Sequence, residues 1–218
     1  MPKQDFNVYN SFIKNYWRYY LELESDFLDT QKYVDFDAKN NSTFSIEYLK
    51  LLQAICGEID CAAKEFAKYA DSSFKVDKNT NINKWGYEIQ KIMPQIQGTI
   101  VFFNGEEEIQ PWKNWYFETY QDKRGRKGIR LNKDKNSKNP KFWTSYTSVK
   151  HGRMLLNSNS NDTNYKFANM KNVKYALAAL FILEQGFADY LTDLKIEKTL
   201  DFEKSHLFRE RIIHRITN

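Results

Sequence analysis

The stretch that most restricts the fold is Ala176–Leu183, ALAALFIL, eight consecutive apolar residues inside the longer segment Asn169–Lys195. In that segment Val173, Leu177, Leu180/Phe181, Glu184 and Phe187/Ala188 recur at helical spacing, which predicts one long helix. A helix that is apolar nearly all round has no face to give to water, so it belongs at the centre of the molecule with other elements covering it. Phe44–Tyr69 predicts a second long helix through Tyr48, Leu51/Leu52, Ile55, Ile59, Ala62/Ala63 and Phe66. Asp5 to about Asp37 predicts a third, on Phe12, Tyr16, Tyr19/Tyr20, Leu23, Phe27 and Val34. The polar break DAKNNST separates these last two, with Ser42 or Thr43 available to cap the next helix. A short polar loop between two long helices predicts an antiparallel hairpin.

Shorter elements lie between. Asn83–Met93 reads as a helix stopped by Pro94, because the residue before proline is pushed out of helical geometry. The run GTIVFFNGEEEIQ carries β-branched and aromatic residues on either side of Asn104-Gly105, a dipeptide suited to a type I′ turn. Phe142–Met154 predicts a further short helix, and the charged tail Leu200–Asn218 is helical in propensity. The expected fold is therefore mainly α: an antiparallel helical bundle with a small β-hairpin insertion near residues 99–110. No repeat or linker divides residues 1–218, which read as a single helical domain. A chain of 218 residues buries roughly 70% of its extended surface, so no staple is needed.

Charge and cysteine usage narrow the setting. The net charge is +5, and the segment Asp122–Lys141 alone carries nine Lys/Arg against two Asp. This Gly-, Asn- and Lys-rich segment is expected to be a mobile basic loop. Cys56 and Cys61 are five apart on one predicted helix and point to different faces, so they read as reduced thiols. Met1–Asn10 has no apolar signal-peptide core, and no apolar run reaches the ~18 residues needed to cross a bilayer. A cytoplasmic location without membrane attachment is the expectation.

The first candidate for chemistry is the segment Tyr146–Arg153, YTSVKHGR. On a helix, Tyr146, Val149, Lys150 and Arg153 share a face, and Trp143, Thr147, Lys150 and His151 another. Lys150, His151 and Arg153 together can hold a phosphate and place an imidazole beside it as general acid or base. The competing reading is that Lys150 and Arg153 are a solvated face and His151 a capping or core-edge histidine. Glu58 and Asp60 interrupt the apolar run LLQAICGEIDCAA and are candidate acidic partners for these cations, since burying either alone is costly. No carboxylate–histidine spacing suggests a metal ligand set, and no cofactor motif occurs.

A rival lies in LFRERIIHRI, where Arg209 and His214 form an Arg-x4-His pair. This pattern resembles the ribonuclease motif of HEPN-domain proteins. Tyr146-Thr-Ser-Val-Lys-His151, ahead of a polar loop and a long helix, resembles a degenerate form of the same motif. In it Tyr146 stands where the family has arginine and Thr147 where it has a polar residue, usually asparagine. It is also similar to the W..YN.VKH.R segment of uncharacterised bacterial helical proteins. The resemblance implies a helical bundle, often dimeric, of toxin–antitoxin and phage-defence type. In active members it implies metal-independent RNA cleavage with a 2′,3′-cyclic phosphate product.

A third feature is the mixture of Trp112, Trp115, Tyr116 and Tyr120 with Lys123, Arg124, Arg126, Lys127 and Arg130, which suits base stacking and phosphate binding. Two function classes follow. One is a HEPN-like, metal-independent endoribonuclease or RNA- or nucleotide-binding effector of phage-defence or toxin–antitoxin type, with His151 as acid/base, Lys150 and Arg153 as phosphate ligands and Tyr146 beside them. The other is a non-catalytic helical module that binds RNA or a protein partner, a second copy or a cognate protein among them.

Overall fold

The polar break ends at Ser45, whose backbone is extended (φ −156°) and whose Oγ accepts the Tyr48 amide at 3.1 Å. That single hydrogen bond satisfies one of the orphan donors at the helix start, so Ser45 rather than Ser42 or Thr43 sets the helix phase. The computed structural model describes residues 10–156, 162–193 and 203–210. Among these are five α-helices, α1 (Arg18–Asp29), α2 (Ile46–Ala70), α3 (Ile82–Ile92), α4 (Lys141–Gly152) and α5 (Met170–Asp193). Five short strands accompany them: β1 (Val101–Phe103), β2 (Glu107–Ile109), β3 (Phe117–Gln121), β4 (Lys127–Leu131) and β5 (Phe208–Glu210). The protein is mainly α, and no helix among the described residues is long and apolar enough to cross a membrane.

The central position of α5 follows from its sequence. Every residue from Ala176 to Leu183 is buried, and α2 packs along it more extensively than any other helix. Phe66 of α2 stacks on Phe187 of α5 with centroids 4.6 Å apart. A second aromatic cluster centres on Trp85 of α3, with Trp115 at 5.5 Å, Trp143 at 5.9 Å and Trp112 at 6.3 Å. The Trp112 indole donates to the Ala179 carbonyl at 3.2 Å, which fixes this cluster to α5. Gly86 makes room for it, because a Cβ there would meet the Trp115 ring at 2.4 Å.

The predicted hairpin is present. Asn104 and Gly105 both have positive φ (50° and 78°), and the Glu106 amide donates to the Phe103 carbonyl at 3.1 Å. Phe103 pairs with Glu107, so the connection holds three residues rather than two. Lys174 of α5, almost fully buried, reaches Glu107 and lies over the Phe103 ring, tying the hairpin to the central helix.

Three expectations are corrected. Residues Ile13–Trp17 are π-helical, and α1 stops at Asp29 rather than running on to Asp37. There the Thr30 hydroxyl donates to the Phe27 carbonyl at 2.7 Å and competes for a main-chain acceptor. The basic segment is no continuous loop: Lys127–Leu131 is β4, paired antiparallel with β3 from Phe117↔Leu131 to Gln121↔Lys127. The tail is not helical where it is described. Phe208–Glu210 forms β5, which adds to the free edge of β1 with Phe208 opposite Phe103. Glu24 draws this segment in. Fully buried on α1, its carboxylate accepts the Tyr20 hydroxyl (2.6 Å), the Ser205 hydroxyl, and the amides of His206 (2.8 Å) and Leu207 (3.2 Å). Four donors satisfy a charge that would otherwise be too costly to bury.

Candidate nucleic-acid interface

The basic ribbon is built outward from the tryptophan cluster. Trp115 is buried, and β3 leaves it through Phe117, whose ring meets Trp115 edge-on at 4.9 Å. Beyond Phe117 the strand passes into solvent, so Thr119, Tyr120 and Gln121 are exposed. The turn is set by Asp122, whose carboxylate accepts the amides of Arg124 and Arg126 at 2.9 Å and the Arg126 Nε at 2.7 Å. These bonds hold its carboxyl below the usual range, the Arg126 amide contributing most. Gly125, at φ 77°, completes the reversal. On the ribbon's outer face Tyr120 lies across Gly128, where a Cβ would meet the ring at 2.7 Å, and the Arg130 guanidinium sits 5.2 Å from the ring centre.

After β4 the chain folds back on the ribbon's base instead of wandering. The Asn132 amide donates to the Tyr116 carbonyl, Lys138 to the Asn114 carbonyl, and Tyr116 to the Ser137 hydroxyl. Lys135 lies 4.7 Å over the Tyr116 ring.

The five predicted RNA-binding cations thus divide. Arg126 is paired with Asp122 at 2.7 Å and Arg130 with Glu118 at 2.6 Å. Lys123, Arg124 and Lys127 are exposed and have no ion pair among the described residues. Lys133, Lys135 and Lys138, which the motif reading passed over, are exposed beside them and equally unpaired. The signal for them was the charge imbalance of the whole segment. Of the aromatics, Trp112 and Trp115 are buried anchors, whereas Tyr116 is half-buried and Tyr120 is 39% exposed.

Tyr146–Arg153 occupies most of α4. Tyr146 packs on Trp143 at 5.4 Å, and Lys150 lies 5.5 Å over the Tyr146 ring, as shared helical faces require. Thr147 donates to the Trp143 carbonyl at 2.9 Å. His151 and Arg153 are exposed, and neither side chain has a hydrogen bond or ion pair among the described residues. The helix end is closed by Asn164, whose amide donates to the carbonyls of Gly152 (2.9 Å) and Ser148 (3.4 Å). Lys150, His151 and Arg153 therefore sit where the helix dipole is negative, an arrangement that stabilises the helix without any ligand. From Lys141 to Lys150 the helix axis runs about 14 Å, which places these cations at the far end of α4 from its start at Lys141.

The acidic partners are elsewhere. Asp60 is engaged by Lys64 and by the Trp85 indole at 3.1 Å. Glu58 lies within electrostatic reach of Glu184 of α5, Tyr16 and Cys61. Burial pushes the Glu58 carboxyl up to about 7. Glu184 is almost fully buried, with no hydrogen-bond partner for either oxygen among the described residues; burial, then Glu58, raises its carboxyl well above the ordinary range. Arg209 of the rival pair is exposed on a strand, opposite Phe102, and His214 lies outside the described residues. A groove of about 830 Å³ runs between α1 and α2, bordered by Tyr19, Tyr33 and Tyr48, and no residue of α4 or the ribbon lines it.

No protein-family model, no curated protein and no solved structure matches the chain. The HEPN-like expectation therefore rests on the residues quoted for it. The class that fold and site define is a mainly α protein bearing an exposed basic β-ribbon.

Proposed function

We propose that this is a non-catalytic RNA-binding module that grips a single strand through the β3–β4 ribbon. The observation that carries the reading is the set of six exposed cations without ion pairs among the described residues: Lys123, Arg124, Lys127, Lys133, Lys135 and Lys138. They stand on a ribbon and turn whose backbone is held by Asp122, Ser137 and Asn132, so little ordering entropy opposes binding. Phosphates neutralised by such cations release counterions, which supplies affinity without reading sequence. Tyr116 and Tyr120 offer partly exposed rings on which bases stack. His151 is exposed and has no hydrogen bond or ion pair among the described residues, so nothing orients its imidazole for proton transfer, which favours binding over cleavage.

Fluorescence anisotropy with a labelled single-stranded RNA of about 12 nucleotides tests this. The variant Lys123→Glu/Arg124→Glu/Lys127→Glu is expected to lose binding, while His151→Ala retains it and leaves the RNA intact. Equal affinity of wild type and triple variant sinks the proposal. Cleavage by the wild type that His151→Ala abolishes replaces it with the ribonuclease reading.

A further inference from the structure

Immediately after α4 the chain presents Met154, Leu155 and Leu156 at 81%, 63% and 66% exposure. Three consecutive large apolar residues in water are an interaction surface unless something covers them. Their backbone is held in place: the Leu155 amide donates to the Gly152 carbonyl at 3.1 Å and the Asn164 amide to the Leu155 carbonyl at 2.9 Å. Lys150 and Arg153 flank them, exposed and without ion pairs among the described residues. The result is an ordered knob, apolar at its tip and cationic at its base.

The α1–α2 groove has the opposite character. Its floor is Leu23, Leu51 and Ala54, with Tyr19 and Tyr33 as walls. Tyr33 is 87% exposed, a large cost in hydrated ring surface. On its rim Lys32 is neutralised by Asp29 at 2.8 Å and Lys50 by Glu47 at 2.7 Å. Asp26 is left without an ion pair among the described residues. In the floor the buried Tyr48 hydroxyl meets no hydrogen-bond geometry among the described residues, and the Thr30 hydroxyl near it donates to the Phe27 carbonyl.

Knob and groove are neighbours around the start of α2. The Tyr165 amide donates to the Arg153 carbonyl at 3.0 Å, and the Tyr165 ring meets Phe44 edge-on at 5.5 Å. Phe44 and Ile46 are themselves exposed, and Ser45 between them lines the groove. An apolar band thus joins the two. We propose that the groove receives the Lys150–Leu156 knob of a second copy of this chain, about a two-fold axis near the start of α2. Such an arrangement forms both knob–groove contacts at once and closes the assembly as a dimer. Apolar tip meets apolar floor, and Arg153 meets Asp26 of the opposite copy. The occupant is a second copy because the chain itself carries both complementary halves, in apolar character and in charge.

The test is sedimentation equilibrium of the full chain at about 1–100 µM. Wild type is expected to dimerise. Arg153→Glu and Asp26→Lys are each expected to raise the dissociation constant about tenfold or more, and the two together to restore it. Leu155→Asp/Leu156→Asp, both exposed positions, is expected to give a monomer with an unchanged circular dichroism spectrum. A monomeric wild type at every concentration overturns the proposal. So does a dimer that survives the leucine variant, or a double charge swap that fails to restore association, since each places the contact elsewhere. None of these substitutions touches the ribbon, so the RNA-binding reading stands or falls separately.

Discussion

Glu24 and His206 are 182 residues apart in the chain, yet the His206 amide donates to the buried Glu24 carboxylate at 2.8 Å. With the Leu207 amide and the hydroxyls of Tyr20 and Ser205, this makes Glu24 the fastening point of β5 on α1. Removing the carboxylate strands several buried donors together. Glu24→Ala is expected to cost about 3 kcal/mol, read from urea unfolding. Hydrogen exchange at the His206 and Leu207 amides should rise first, ahead of the α2 and α5 amides. Unchanged protection at those two amides would show that Glu24 is not what holds the strand.

Gly86 and Trp115 make a second close relationship. A methyl group at position 86 would enter the indole at 2.4 Å and Phe117 at 2.8 Å, in a region where Trp85 and Trp112 leave no slack. Gly86→Ala, a change that ordinarily helps a helix, is expected to destabilise by about 2 kcal/mol. Thermal unfolding decides it: a raised Tm would mean that the cluster yields readily.

Glu184 imposes a pH dependence. Its folded-state carboxyl is raised above the ordinary 4.5 by burial first and Glu58 second. Below that ordinary value it is protonated folded and unfolded alike and has no effect on stability. As pH rises further, the unfolded chain releases the proton while the folded chain keeps it, so stability falls. Glu58, raised by burial to about 7, acts in the same direction. Glu184→Leu is therefore expected to stabilise the fold more at pH 7 than at pH 5, by about 1 kcal/mol or more. Identical gains at both pH values would count against a neutral Glu184 in the core.

The ribbon predicts a salt signature. If Lys123, Arg124 and Lys127 each neutralise one phosphate of a single strand, replacing all three lowers the log–log salt slope of RNA affinity by about 2. Replacing Arg126 and Arg130, already paired with Asp122 and Glu118, is expected to move that slope far less. Equal effects from both sets would mean that the ion pairs open on binding.

The long helices and the first hairpin were legible because their signals are local. The stripe through Tyr48, Leu52, Ile55 and Ile59 is a period, and Asn104-Gly105 is a turn in two letters. The ribbon was hidden because Ile129 and Leu131 alternate among lysines, arginines and glycines, so composition read as loop where pairing with Thr119 and Phe117 makes strand. β5 was unreadable for a different reason: its partner Phe103 and its fastening residue Glu24 are more than 100 residues away. For the candidate sites, helical spacing placed Lys150 over Tyr146 correctly. It was silent on whether Asp60 would face those cations or the Trp85 indole, which is a matter of tertiary packing.

The fastening of β5 also bears on how the chain comes to be folded as it is made. Synthesis proceeds from the amino end, and α1 emerges before its partners, carrying a carboxylate whose donors at positions 205–207 do not yet exist. Until they arrive, Glu24 remains hydrated and the edge of β1 that pairs with Phe208 stays open. The nascent protein must therefore make some 182 further residues after Glu24 before α1 can settle, and a chaperone that shields an open strand edge would have its work in that interval.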